Sequence, residues 1–224
     1  MPLALITGAS RGIGAATARA LADTHTLLLG GRDTAALESL AADLPDAHPW
    51  PVELTDPTAL AAATADIAEL DLLVHSAGIA RVGPLSEATT DRWRTMYEVN
   101  VIAVAELTRL LLPALRTAKG TVILINSGAG LDAHPGWGPY AATKYALRAY
   151  ANVLRAEEAA SGIRVTSVFP GRTDTDMQRT VRTDENAEYQ PDRYLRPTSV
   201  ATAIRTAALS TPDAQYPEIV IRPT

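Results

Sequence analysis

The chain has 224 residues, 47% of them hydrophobic, and its 20 basic and 25 acidic side chains leave a formal net charge of −5. This suits a single soluble domain with a substantial core, and the interspersed charges, with no basic run, count against nucleic acid or an anionic membrane as partner. The absence of cysteine excludes disulfides, thiolate metal sites and cysteine nucleophiles, while His25, His48, His75 and His134 stand singly, without metal-ligand spacing.

From the start of the chain, short apolar runs alternate with helical patterns. Residues 3–7 form the first run and residues 13–21 the first helical pattern; a run at 26–29 precedes helical spacing over 35–44. A weaker run near 50–54 leads to a helix predicted over 58–70, then to a run at 72–75 and one long helix over 91–115. The series closes with a run at 122–126, a helix over 140–160, a run at 165–169, a helix over 199–209 and a last run at 219–221. Within the runs, polar and apolar residues do not alternate, as expected of parallel strands buried on both faces. Asp33 and Asp56 stand where N-caps are wanted, and Pro57 suits a first helical position. Strand–helix alternation throughout predicts an α/β fold, a doubly wound parallel sheet forming one domain over residues 1–224. The one long irregular stretch, residues 172–197, is polar and carries Pro191 and Pro197; it is expected to be a substrate lid. No apolar stretch has the length of a membrane span, since Leu110-Leu111-Leu112 runs into Pro113, and no basic leader precedes the first strand. A cytoplasmic location is therefore expected.

Between the first run and the first helix lies Thr7-Gly8-Ala9-Ser10-Arg11-Gly12-Ile13-Gly14. Backbone N–H groups and the positive end of a helix can receive a pyrophosphate there. Glycines keep Cβ atoms out of the turn and away from the phosphates. The spacing is G-x-x-x-G-x-G, not the general G-x-G-x-x-G fingerprint. It resembles the phosphate loop of the short-chain dehydrogenases/reductases, T-G-x-x-x-G-x-G, and the resemblance continues in order along nearly the whole chain. His75-Ser76-Ala77-Gly78 is similar to the family's N-N-A-G; Asn100 stands like its catalytic asparagine; Ser127 ends the fifth strand; Tyr140-Ala141-Ala142-Thr143-Lys144 matches Y-x-x-x-K; Pro170-Gly171 follows the sixth strand.

The resemblance implies a seven-stranded parallel sheet. It also implies cofactor contacts from Gly8, Ser10, Arg11, Gly12, Ile13 and Gly14, from Glu53 and Leu54 at the adenine, and from Ser76, Ala77 and Gly78. Tyr140, Lys144, Pro170, Gly171, Thr173 and Thr175 complete the expected cofactor set. Three positions depart from the pattern: Ser76 replaces an asparagine, Glu53 the usual aspartate, and Thr173 a residue that is commonly apolar. None removes a catalytic group.

Tyr140 and Lys144 are four residues apart on a predicted helix and so project from one face. A phenol with an ordinary pKa near ~10 is a poor acid–base catalyst at neutral pH, but a nearby ammonium and an oxidised nicotinamide ring favour the phenolate. By resemblance, Lys144 also holds the nicotinamide ribose, Ser127 holds the substrate oxygen, and Asn100 anchors a water that continues a proton path. Cofactor choice is set at the end of the second strand, where an acid would accept the ribose hydroxyls of NAD. Here the sequence reads Gly30-Gly31-Arg32-Asp33, and Arg11 can approach the same place. Two arginines and no acid point to NADP(H). Trp137 and Leu131 are expected to line a pocket, whereas Arg81 and Arg172 read as surface charges. The expected activity is hydride transfer between NADP(H) and a small-molecule carbonyl or alcohol, in a homodimer or homotetramer without a metal. A dinucleotide sensor on the same fold, without turnover, is the alternative, because fold alone does not establish chemistry.

Overall fold

A computed structural model describes residues 1–224. The strands are β1 (Leu3–Thr7), β2 (Thr26–Gly31), β3 (Ala47–Pro51), β4 (Leu72–His75), β5 (Thr121–Ile125), β6 (Arg164–Pro170) and β7 (Glu218–Ile221). All pair in parallel in one seven-stranded sheet of order β3-β2-β1-β4-β5-β6-β7. The helices are α1 (Gly12–Leu21), α2 (Thr34–Ala42), α3 (Pro57–Thr64), α4 (Thr90–Tyr97), α5 (Ala103–Ala118), α6 (Gly138–Glu157), α7 (Asp176–Asp184) and α8 (Pro197–Ala208). The fold expected from the apolar runs is the one observed.

Successive strand residues feed opposite faces of the sheet, so two cores form. Ala4, Ile6, Leu27 and Leu29 pack with Leu21 of α1, Leu37 of α2 and Ile204 of α8. Leu5, Leu73, Val122 and Leu124 pack on the other side with Leu60 of α3, Leu107 and Leu111 of α5, and Leu147 of α6. Double-sided burial explains why the strands read as continuous apolar runs. Strand order reverses between β1 and β4, and the crevice beyond their carboxyl ends is where ligands bind in such sheets.

The caps fall where the sequence places them: the Asp33 side chain accepts the Ala36 N–H, and Asp56 accepts those of Thr58 and Ala59. Several boundaries differ. β3 lies three residues earlier than expected; Pro49 and Pro51 are tolerable there because it is an edge strand. α3 ends at Thr64 instead of continuing to Leu70. The long helix expected over 91–115 is broken by a π-helical turn at Glu98–Ile102, where the Ala103 N–H reaches back to Glu98 O. The stretch 172–197 is not irregular throughout, since it contains α7, whose N-cap Thr175 accepts the Gln178 N–H. No helix is long and apolar enough to cross a membrane.

Candidate active site

The turn after β1 is shaped by what a side chain would strike. Gly8 has φ +67°, and a Cβ there would lie 2.8 Å from the Ala77 nitrogen; a Cβ at Gly14 would lie 2.1 Å from Gly8 O. The turn is thus pressed against both its own helix and the loop after β4, and only glycine fits. Thr7 ties the two segments together, its hydroxyl accepting the N–H groups of Ser76 and Ala77 at 3.1 Å each. The cleft beyond is about 630 Å³ and is lined by Gly8, Ser10, Arg11, Gly12, Ile13 and Gly14, with Arg32, Glu53 and Leu54 at one end. Ser76, Ala77, Gly78 and Thr175 also line it, and they continue into a second cavity of about 410 Å³. The glycine cradle, with a helix N-terminus behind it, fits a dinucleotide pyrophosphate.

Ser127, Tyr140 and Lys144 meet in that second cavity, together with Pro170, Gly171 and Thr173. Ser127 follows β5, and its hydroxyl oxygen accepts the Ala129 N–H at 3.1 Å. Tyr140 and Lys144 share one face of α6, both buried, with the ammonium 5.7 Å from the phenol ring centre. Lys144 Nζ donates to Ile125 O at 2.9 Å, which fixes it beneath the end of β5. Burial pushes the Tyr140 phenol above its ordinary range, while the neighbouring Ser127 hydroxyl pulls the other way. Burial also pushes Lys144 down, to about 8.

Asn100 lies outside both cavities, behind Gly78. Its Oδ1 accepts the Ile79 N–H at 2.9 Å, and its Nδ2 donates to Ile79 O and to Thr143 Oγ1. The side chain is fully committed to bracing α6 and the loop after β4. A Cβ at Gly78 would stand 3.2 Å from Asn100 Oδ1 and 4.0 Å from Lys144 Nζ, so the missing side chain keeps the space between them open.

A model of the short chain dehydrogenase family matches residues 2–186. The chain belongs to the short-chain dehydrogenase/reductase family. Among its relatives, cattle (Bos taurus) dehydrogenase/reductase SDR family member 11 is 34% identical over 99% of this chain and 96% of its own length. Serine 3-dehydrogenase of Agrobacterium fabrum (strain C58 / ATCC 33970) is 36% identical over 85% of this chain and 79% of its own. Among solved structures, an alcohol dehydrogenase of the archaeon Thermococcus sibiricus, complexed with 5-hydroxy-NADP, aligns with a TM-score of 0.91 at 27% identity, covering 100% of this chain and 97% of that one. A serine dehydrogenase complexed with NADP+ aligns equally well, at 26% identity over 97% and 93% of the two chains.

Within this family member, the structure adds residues that the sequence did not single out. Asn126 is buried; its Nδ2 donates to Lys144 O at 3.1 Å and its Oδ1 accepts the Ser127 N–H, so one side chain joins the segments carrying Ser127, Tyr140 and Lys144. All three arginines of the outer cleft have carboxylate partners: Arg11 with Asp176, Arg32 with Glu53 and Arg81 with Asp184, each at 3.5 Å. Glu53 is held below the usual carboxylate range, mainly by the Thr55 N–H and also by Arg32. Arg172 is not a free surface charge. Its guanidinium makes two bonds to Glu185, at 3.0 and 2.7 Å, and lies 5.4 Å from the Trp137 ring centre. Trp137 lines the inner cavity, but Leu131 does not. His75 is a satisfied buried residue whose Nε2 lies 2.9 Å from Thr108 Oγ1.

Proposed function

We propose that the chain is an NADP(H)-dependent carbonyl reductase, acting as an alcohol dehydrogenase in the reverse direction. The observation that carries this reading is the convergence of Ser127, Tyr140 and Lys144 on a cavity continuous with the glycine-lined cleft. Bound NADPH supplies the hydride that the carbonyl carbon receives. Tyr140 gives its phenolic proton to the carbonyl oxygen, so the product is a neutral alcohol and the tyrosine is left as phenolate. Burial raises the phenol and the Ser127 hydroxyl opposes it; the Lys144 ammonium, 5.7 Å from the ring centre, stabilises the phenolate once it forms. Ser127 hydrogen-bonds the same oxygen as charge develops on it. Lys144 also binds the ribose, and a water in the space beside Gly78 and Asn100 returns a proton to Tyr140 through it.

Gly8, Ser10, Gly12, Ile13 and Gly14 hold the pyrophosphate; Glu53 and Leu54 flank the adenine; Pro170, Gly171, Thr173 and Thr175 border the nicotinamide. The 2′-phosphate is received by Arg32 and Arg11, with no acid at Gly31 to repel it. The NADP complexes of the two structural neighbours support that choice. Residues 172–197, with α7, act as the lid. Ile102, Tyr145 and Val153 leave apolar surface exposed on and beside α5 and α6, consistent with a homodimer or homotetramer.

The test is NADPH oxidation followed by absorbance across aldehydes, ketones and quinones, with both dinucleotides titrated separately. Turnover with NADPH, and weaker NADH binding, is the expected result. Tight NADPH binding with no turnover of any carbonyl would instead favour a sensor.

A further inference from the structure

Arg172 comes directly after Pro170-Gly171, in the wall of the cavity that holds Ser127, Tyr140 and Lys144. Its guanidinium lies 5.4 Å from the centre of the Trp137 ring, and that ring stands edge-on to Tyr140 with 5.8 Å between centres. One indole in the cavity wall therefore touches both the phenol and the guanidinium. A guanidinium offers two forks of parallel N–H groups, one at its end and one along its Nε side. Glu185 occupies the end fork, receiving Nη1 at 3.0 Å and Nη2 at 2.7 Å. The Nε side is left over: Nε has no partner within the chain and is reached by solvent, and the side chain keeps 35% of its surface exposed.

The charges around Arg172 do not cancel. Glu185 is shared, because it also receives Arg182 Nη1 at 2.7 Å. Burial alone would raise the Glu185 carboxyl, but hydrogen bonds from Arg172 and Arg182 hold it below the usual carboxylate range, so it is ionised at neutral pH. One carboxylate between two guanidinium groups leaves one positive charge unbalanced, and both Glu185 and Arg182 are largely buried, where solvent screens poorly. No Asp or Glu lines the cavity. Its other cations are spoken for or outlying: Lys144 is fixed on Ile125 O, and His134 is exposed, 3.8 Å from Asp132. An open fork of donors carrying an unbalanced charge is a seat for a carboxylate.

We infer that Arg172 determines substrate specificity, its free Nε edge receiving a carboxylate, so that the chain prefers aldehydes and ketones bearing a carboxylate at the end away from the carbonyl. Trp137 is the shelf along which the carbon chain between the two groups lies. The inference rests on the reductase reading above and names its substrate class.

The experiment compares kcat/KM of the full chain for 4-oxobutanoate and for 4-carboxybenzaldehyde with that for their methyl esters, at saturating NADPH. In at least one pair, wild type should prefer the acid by roughly tenfold, the low end for a charge-assisted hydrogen bond. Added salt should shrink that preference. Arg172→Gln should bring the ratio to about one, through a rise in KM for the acid. Glu185→Gln keeps the guanidinium and removes the charge opposite it, so the ratio should rise. The two variants disturb one contact and move the ratio in opposite directions, which a general loss of structure would not do. If wild type shows no preference for the acid in either pair, if Arg172→Gln leaves the ratio where it was, or if Glu185→Gln lowers it, the inference is overturned and the reductase reading stands. An equal loss for acid and ester in Arg172→Gln, with weaker NADPH binding, would assign the arginine to the cofactor and overturn the inference as well. If wild type reduces no carbonyl at all, the reductase reading falls and the inference with it.

Discussion

At the inner end of the cleft, Tyr140 and Lys144 are 6% and 5% exposed, and Asn126 and Asn100, both buried, hold the segments around them by side-chain hydrogen bonds. At the outer end, the Arg11 and Arg32 side chains keep 74% and 75% of their surface in solvent, and each meets a carboxylate at 3.5 Å. The first set is fixed before any ligand arrives and works where charges are poorly screened. The second is a pair of surface contacts, dominated by solvent and salt, that a phosphate can displace. On the proposed reading, burial marks the residues that act on a proton, and exposure those that sort cofactors. Mutations at the two ends should differ in size and in salt dependence.

The largest effect should come from a buried group that takes no part in chemistry. His75 is wholly enclosed, and burial lowers its pKa to about 3 from an ordinary 6.5. The unfolded chain takes up a proton that the folded chain refuses, so stability should fall as pH drops from 6.5 towards 3 and be unaffected above that window. The slope from this one group is about 1.4 kcal/mol per pH unit. Denaturant midpoints of wild type and His75→Gln, measured across that range, should diverge; parallel curves would show that His75 is not held neutral.

A smaller effect is expected at Arg32. Arg32→Ala should weaken NADPH by about one to two decades, the value of a charge-assisted hydrogen bond, and leave NADH nearly unchanged. Isothermal titration with both dinucleotides checks this, and equal losses for the two would remove Arg32 from phosphate recognition. The smallest effect belongs to Asp176. Asp176→Asn frees Arg11 from an exposed pair and should tighten NADPH by a few-fold at most, a gain that disappears in high salt. A salt-independent change would mean that the pair does more than compete with the phosphate.

The same division explains what the sequence made legible. Strands buried on both faces leave unbroken apolar runs, so six of the seven strands could be placed closely, while β3 blurred because prolines and partial exposure dilute its signal. The glycine loop and Tyr140-x-x-x-Lys144 are local patterns, and local patterns survive in one dimension. α7 was hidden because only Met177 and Val181 give it an apolar stripe. The π turn at Glu98–Ile102 depends on where Asn100 must place its side chain, a matter of tertiary contacts. Asn126 was visible only as a polar residue ending a strand. The Arg11–Asp176 pair joins positions 165 residues apart, and Arg172 found Glu185 and Trp137 only on folding.

The central claim is that Tyr140 moves a proton and does little else, and one comparison bears on it directly. Tyr140→Phe keeps the ring, its packing against Trp137 and the Lys144 ammonium, and removes only the hydroxyl. Single-turnover hydride transfer at saturating substrate should be measured beside NADPH affinity, because steady-state rates can report product release. The account predicts NADPH affinity close to wild type and a transfer rate lower by about 10²–10⁴-fold. A variant that binds NADPH normally and transfers hydride at the wild-type rate would contradict it.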